Sequence, residues 1–422
     1  MQLSETNGRA ADPRELGIGA RYRLLGVAGL SSAVLAGGGV LPAVCLVQIA
    51  AQFQLTDEQC GRFFAVAPTT TLLTLPVFGL LGERWGKRGI LAVGLALLAI
   101  AMAFYNTATN FSILLMGSTA LGLSCSIIDA LISPLTVDLF PYRTGPMMNL
   151  VHCCFQIGIV FCALLGGLYM SRQGDWNAMF FPLMIIAALL AAAFACSHFP
   201  AALVHSTPMK VAELLRSGAF WLCAVVIFVA GGVETGVIVW LPAFLQRQFD
   251  MVAISQWLSL TFGLSDPKPL LGALGLALFA APMVVGRWFY GSVAERFGYL
   301  GTLMTSCVLA SIALIGFGQA MSAVTSILWL ALLGLALSGL WPTLLIHAGR
   351  TIQANPPTLF SLLAMAGLAG CSSCSWGVGF LSDAGFSLQV GLSALIVPVL
   401  AAFFAIVVMW FARGKQANSD GL

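Results

Sequence analysis

Gly79-Leu80-Leu81-Gly82-Glu83-Arg84-Trp85-Gly86-Lys87-Arg88 stands where one apolar run ends and the next begins, and Gly291-Ser292-Val293-Ala294-Glu295-Arg296-Phe297-Gly298 stands in the same relation 212 positions later. That spacing is about half of a 422-residue chain. Each copy follows the second apolar run of its half. A short motif recurs by chance easily. Recurrence at the equivalent point of a six-plus-six pattern reads instead as duplication of a half-length unit.

Working outward, runs long enough to cross a bilayer are predicted near 24–50, 60–81, 89–107, 111–140, 146–170 and 177–199, then 218–246, 269–291, 299–320, 323–350, 357–381 and 388–412. About 20 apolar residues span a hydrocarbon core roughly 30 Å thick at about 1.5 Å per residue. The composition agrees: 59% of residues are hydrophobic and 8% charged, against about 25% charged in a soluble domain. Such a chain has too little polar surface to face water. The expected fold is therefore an all-α integral membrane protein with twelve transmembrane helices in two pseudo-symmetric six-helix bundles. Its parts are a disordered tail over 1–20, an N-terminal bundle over 21–199, a linker over 200–217, a C-terminal bundle over 218–412 and a tail over 413–422. The first twenty residues are polar and mixed in charge, with no apolar core before a cleavage site, so they read as a tail and not as a secretory signal.

Lys and Arg set the orientation. With both termini cytoplasmic, 15 of the 19 basic residues fall on the inner side or at inner helix ends, Arg287 among them; Arg62, Arg172, Arg247 and Lys268 fall outside. Both ends are expected inside, in a plasma membrane (a cell's inner membrane), and the protein is expected to be a monomer. Of the eleven cysteines, most sit in apolar runs and read as small hydrophobes; Cys371 and Cys374 have CxxC spacing but no second pair.

The repeated motif has a physical use. Glycines allow tight turns and helix contact, a carboxylate suits the positive end of a neighbouring helix, and basic residues pair across the bundle. Such contacts hold one side of a carrier shut; the plainer alternative is a basic loop that only sets topology. Gly79, Glu83, Arg84, Gly86, Lys87 and Arg88 resemble the signature between spans two and three of the major facilitator superfamily, with Glu in place of the usual Asp. Gly291, Glu295, Arg296 and Gly298 form a partial second copy. The resemblance implies a solute carrier with a site between its halves.

A narrower resemblance is to the fucose–proton symporter and sugar-permease branch. Asp129-Ala-Leu-Ile-Ser133-Pro134 in span four is similar to that branch's acidic residue before Asn-Pro, with Ser133 in place of Asn. In span five Asn149 and His152 take the spacing of its Asn and Gln, followed by Gln156. Gly232, Glu234, Trp240 and Leu241 resemble its span-seven pattern, and Trp341-Pro342-Thr343 its span-ten pattern. The branch's span-one carboxylate has no counterpart near Ala43.

Read as residues, Asp129 and Glu234 lie near the middle of spans four and seven. A carboxylate there is costly and is paired, protonated or turned to a watery cavity. Burial disfavours its charged form, so it can take up and release a proton; the alternative is a locked interhelical hydrogen bond. Asp138, nearer the inner end, is expected to meet Arg143 or solvent. Asn149, His152 and Gln156, three and four residues apart, share one helix face and suit the hydroxyls of a sugar or polyol, or else join helices. Trp240 and Trp341 offer stacking faces or are packing residues. Pro42, Pro134 and Gly231-Gly232 mark places where helices are expected to break or flex.

The expected function is secondary active transport of a small polar solute, sugar-like, by proton-coupled symport. An exporter of drugs or metabolites and a solute sensor are the competing readings. No phosphate loop of the form GxxxxGK[ST] is present, and four scattered histidines make no metal site. No enzyme activity, cofactor, metal or nucleic-acid partner is expected; the partners are the solute, a proton or other cation, and lipid.

Overall fold

The computed structural model describes residues 16–140, 142–172, 174–199, 211–248, 252–352 and 356–419; at 83, 144–146, 149, 252, 253, 288, 292, 356–358 and 413–419 it describes the backbone only. The expected N-terminal tail and linker fall largely outside these residues, whereas the backbone of the expected C-terminal tail continues the last helix to Ser419. Among the described residues every regular element is helical. Twelve helices are long and apolar enough to cross a bilayer: spans one to six are Ile18–Val44, Asp57–Gly82, Lys87–Asn106, Phe111–Leu139, Leu150–Ser171 and Trp176–Cys196. Spans seven to twelve are Gly218–Gln248, Lys268–Arg287, Tyr299–Gly318, Ala323–Thr351, Leu359–Asp383 and Leu388–Ala412.

Proline acts differently at three of these places. Span one stops at Val44, two residues after Pro42, and restarts as the short helix Leu46–Phe53. Span ten divides into Ala323–Leu337 and Leu340–Thr351. Pro342 falls in the first turn of the second piece, where its missing N–H has no helical partner to lose. The break expected at Pro134 is not there: Phe111–Leu139 is one continuous helix. Membrane helices tolerate a proline whose freed backbone is satisfied nearby. Gly231 and Gly232 likewise do not break span seven. They let span eleven approach, because a Cβ on either would fall 2.8 Å from a backbone oxygen, of Gly367 or Gly370.

The duplication is visible in the packing. Span one packs on five and six, two on four, and three on four and six. Span seven packs on eleven and twelve, eight on ten, and nine on ten and twelve. The halves meet through two against eleven and five against eight, which the same exchange interconverts. Gly122 lies against the Ala67 carbonyl and Gly334 against the Phe279 carbonyl; both pairs are separated by 212. The motif glycines match as well. Gly86 has φ 83° and ψ 149°, Gly298 has φ 86° and ψ 143°, a region that only glycine occupies cheaply. Each turns the chain between two spans within one residue.

Large apolar side chains on the outer edge of the bundle, such as Ile100, Leu189, Ile312 and Phe404, are exposed, as a hydrocarbon surrounding requires. The face that holds Ile18 and Ala412 is called inner here. Toward the opposite, outer face the halves are tied: Arg247 to Asp57, Asp383 to the backbone of Asp57 and Glu58, Gln246 to the Val44 carbonyl, and Ser171 to Leu270. On the inner face the motif side chains bond within their own half. Lys87 pairs with Asp138, and Arg88 donates to the Ala195 carbonyl. Asp138, expected to meet Arg143 or solvent, pairs with Lys87, because the turn at Gly86 carries the start of span three to the end of span four. Arg84, Trp85, Glu295, Arg296 and Phe297 are exposed. The halves are thus closed against each other at the outer face, and among the described residues no hydrogen bond or ion pair joins them at the inner face.

Candidate functional site

The site is built from the interiors of the helices that form spans five, seven and eight; the last of these runs from Lys268 to Phe297, so Arg287 lies ten residues before its inner end. Glu234, midway along span seven, belongs to the C-terminal half; Gln156, midway along span five, belongs to the N-terminal half. The Gln156 amide Nε2 donates to Glu234 Oε1 at 3.1 Å across the junction of the halves, and on the other seam the Thr69 hydroxyl of span two donates to Ser372 of span eleven at 3.0 Å. Arg287 of span eight donates from Nη2 to both Glu234 oxygens at 3.4 Å. The pair retains side-chain exposures of 22% and 17%, so it borders an accessible space and is not sealed in the core. A carboxylate in this position needs a partner, and Arg287 supplies the compensating charge.

Two buried atoms of this group have no partner among the described residues: Gln156 Oε1, an acceptor, and Arg287 Nε, a donor. Polar groups of that kind cost free energy unless something meets them. His152, one turn toward the inner face from Gln156, is accessible and near enough to Arg287 to feel its charge. Asn149 continues the same helix face by position, but its side chain lies outside the described residues.

Asp129 belongs to a neighbouring group. It is accessible, and its Oδ2 accepts from the Cys125 thiol at 3.3 Å. Cys125 in turn neighbours Thr71 of span two and Cys371 of span eleven. Cys371 accepts from Thr235 Oγ1 at 3.1 Å, and Thr235 follows Glu234 in span seven. Thus the two carboxylates lie in separate groups joined through Cys371 and Thr235.

The tryptophans part company. Trp341 is half-buried, its ring lying against Gly231 and Gly367. Trp240 is fully buried, and its indole N–H donates to the Ser375 carbonyl at 2.8 Å. The stacking role expected for Trp240 has no surface to act on; it packs spans seven and eleven together. The motif residues Gly79, Glu83, Arg84, Gly86, Lys87, Arg88, Gly291, Glu295 and Arg296 lie at the inner helix ends, away from this cluster; the Glu83 side chain is outside the described residues.

Arg287 is the residue that sequence reasoning missed. It counted among inner-end charges that set orientation, although it stands inside the apolar run 269–291. A basic residue within such a run is a functional signal by itself.

With that geometry in place, comparison with known proteins is informative. Residues 27–345 match the family model of the Major Facilitator Superfamily. An uncharacterised MFS-type transporter of Yersinia pestis is 22% identical over 374 residues, covering 87% of this chain and 92% of its own length. The fold is similar to that of the nucleoside transporter NupG, with a TM-score of 0.75 at 12% identity, covering 92% of this chain and 99% of that one. A D-xylose–proton symporter gives a TM-score of 0.70 at 14% identity, covering 92% and 97%. A duplicated twelve-span bundle with a polar cluster at the junction of its halves, matched by a family model over most of its length, is a transporter fold, and the chain belongs to the major facilitator superfamily.

Proposed function

We propose that this transporter moves a small polar, sugar-like solute in symport with a proton. The observation that carries the reading is the Gln156–Glu234–Arg287 group, which spans both halves and leaves one buried acceptor and one buried donor unmatched. Hydroxyl groups both donate and accept, so a polyol can satisfy Gln156 Oε1 and Arg287 Nε together. Trp341 provides the apolar wall.

Coupling follows from the carboxylates. Protonation of Glu234 removes the charge that holds Arg287 and frees both for solute, while Asp129 offers a second accessible acid whose only bonded neighbour among the described residues is a weak thiol donor. Solute and proton then favour the same rearrangement, which is what symport requires thermodynamically. The repeated inner motif serves as the gate on the inner face, and the Lys and Arg distribution supports cytoplasmic termini in a plasma membrane.

The test is a solute screen in proteoliposomes under an imposed proton gradient, wild type beside Asp129→Asn and Glu234→Gln. Accumulation above the equilibrium level in wild type, reduced to simple equilibration in at least one variant, is expected. Uptake indifferent to the gradient, or undiminished accumulation in both variants, would remove the proton from the mechanism. Exchange of labelled solute separates a carrier from a sensor, which binds without translocating.

A further inference from the structure

The outer closure contains a duplicated device. Asp383, the last residue of span eleven, accepts the backbone N–H of Asp57 at 2.9 Å and of Glu58 at 3.0 Å. These are first-turn donors of span two, in the opposite half, with no partner inside their own helix. Ser171, the last residue of span five, accepts the backbone N–H of Leu270 at 3.0 Å, at the start of span eight. Asp383 and Ser171 are 212 positions apart, as are Leu270 and Glu58. The same contact is therefore made twice, across both seams, once by a carboxylate and once by a hydroxyl.

The two copies differ in what else they do. Span two has its own cap: the Thr56 hydroxyl accepts from the Gln59 N–H, and Gln59 returns the bond. That helix starts properly without Asp383. Span eight has Pro267, which cannot cap, at its cap position; the Asp266 carboxylate accepts only the Lys268 N–H, and Ser171 completes the turn by accepting that of Leu270. Around Asp383, Ser382 donates to Asp57 Oδ2 at 2.7 Å, and Arg247 of span seven to Asp57 Oδ1 at 2.7 Å. All of these join one half to the other.

We propose that Asp383 is the principal latch of the outer gate, a positioning residue that holds spans two and eleven together by capping a helix already capped within its own half, with Ser171 as its counterpart on the other seam. When the outer ends part, the carboxylate and the amides pass to water, and the net loss is that of one helix cap. The inference needs only a carrier that opens alternately to its two sides, not a particular solute or ion.

The chain carries its own reporter. Cys60 lies one turn into span two from Thr56, is fully buried, and sits close enough to Asp57, Arg247 and Asp383 to feel their charges. A membrane-impermeant maleimide applied from the outer face should reach it only when the latch opens, and Cys60→Ser identifies the signal. Relative to wild type, the labelling rate should rise roughly tenfold in Asp383→Ala and about threefold in Asp383→Asn, the range of one lost cap. Asp383→Glu should restore much of the closure. Gln59→Ala, which removes the bond to the Thr56 N–H and so weakens the same helix start within one half, should leave the rate near wild type; Thr56 itself is unsuitable, because its hydroxyl lies against the Asp383 carboxylate. If Asp383→Ala does not reach the membrane, Asp383→Asn is read by the same criterion. Labelling unchanged on losing the Asp383 charge, or raised equally by Gln59→Ala, would overturn the latch. Neither result depends on solute or gradient, so it is distinct from failure of the symport reading.

Discussion

At the scale of single residues, the charge pair Glu234–Arg287 is informative because it stands at the junction of the halves, where a charge needs a partner. Removing one partner of a fully buried pair costs about 3–5 kcal/mol. Here about a fifth of each side chain remains accessible, so about 1–3 kcal/mol is expected. Arg287→Gln should lower the unfolding midpoint in detergent more than the double variant Glu234→Gln/Arg287→Gln, because the double variant leaves no unpaired charge. Equal or larger loss in the double variant would mean that the pair is not coupled. The sequence showed Glu234 as an acid in mid-span but placed Arg287 at a helix end. Position along a run does not say which way a side chain turns, and only the contact between spans seven and eight does.

Between elements, packing is decided by small residues, and here magnitudes settle the sign of a substitution. Glycine to alanine inside a helix gains about 1 kcal/mol from propensity. At Gly370, however, a Cβ would fall 1.9 Å from the Phe228 carbonyl oxygen, whereas at Gly377, one span-turn pair farther along, nothing lies within 4 Å. Overpacking against backbone costs about 1–3 kcal/mol. Gly370→Ala should therefore lower the thermal midpoint by several degrees, and Gly377→Ala should leave it unchanged or raise it; the reverse order would contradict the described seam between spans seven and eleven. The number and order of the spans were legible from hydropathy, because each must satisfy its own backbone in lipid. Helix breaks were not. Pro42 lies at the end of span one and Pro342 at a true division, while Pro134 sits in an unbroken helix.

For the whole molecule, the duplication announced by Glu83 and Glu295 extends much farther than the motif. It sets the turn conformation at Gly86 and Gly298, the glycine contacts at Gly122 and Gly334, and the outer caps at Ser171 and Asp383. Of the candidate site, Gln156, Glu234 and His152 converge near Arg287, Asp129 stands in an adjoining group, and Trp240 is withdrawn into packing. One-dimensional spacing finds residues that share a helix face, but not which faces meet across a seam.

Alternation between two closures of one duplicated scaffold is tested most directly by pulsed spin-label distances. Trp85 and Phe297 are exposed at the inner ends of spans two and eight, and Thr109 and Met321 at the outer side, each pair again 212 apart. Introducing Asp383→Ala should shift population from long to short distances at the inner pair and from short to long at the outer pair. Distances that lengthen together at both faces, or that move at one face alone, would contradict a carrier that rocks about its central polar cluster.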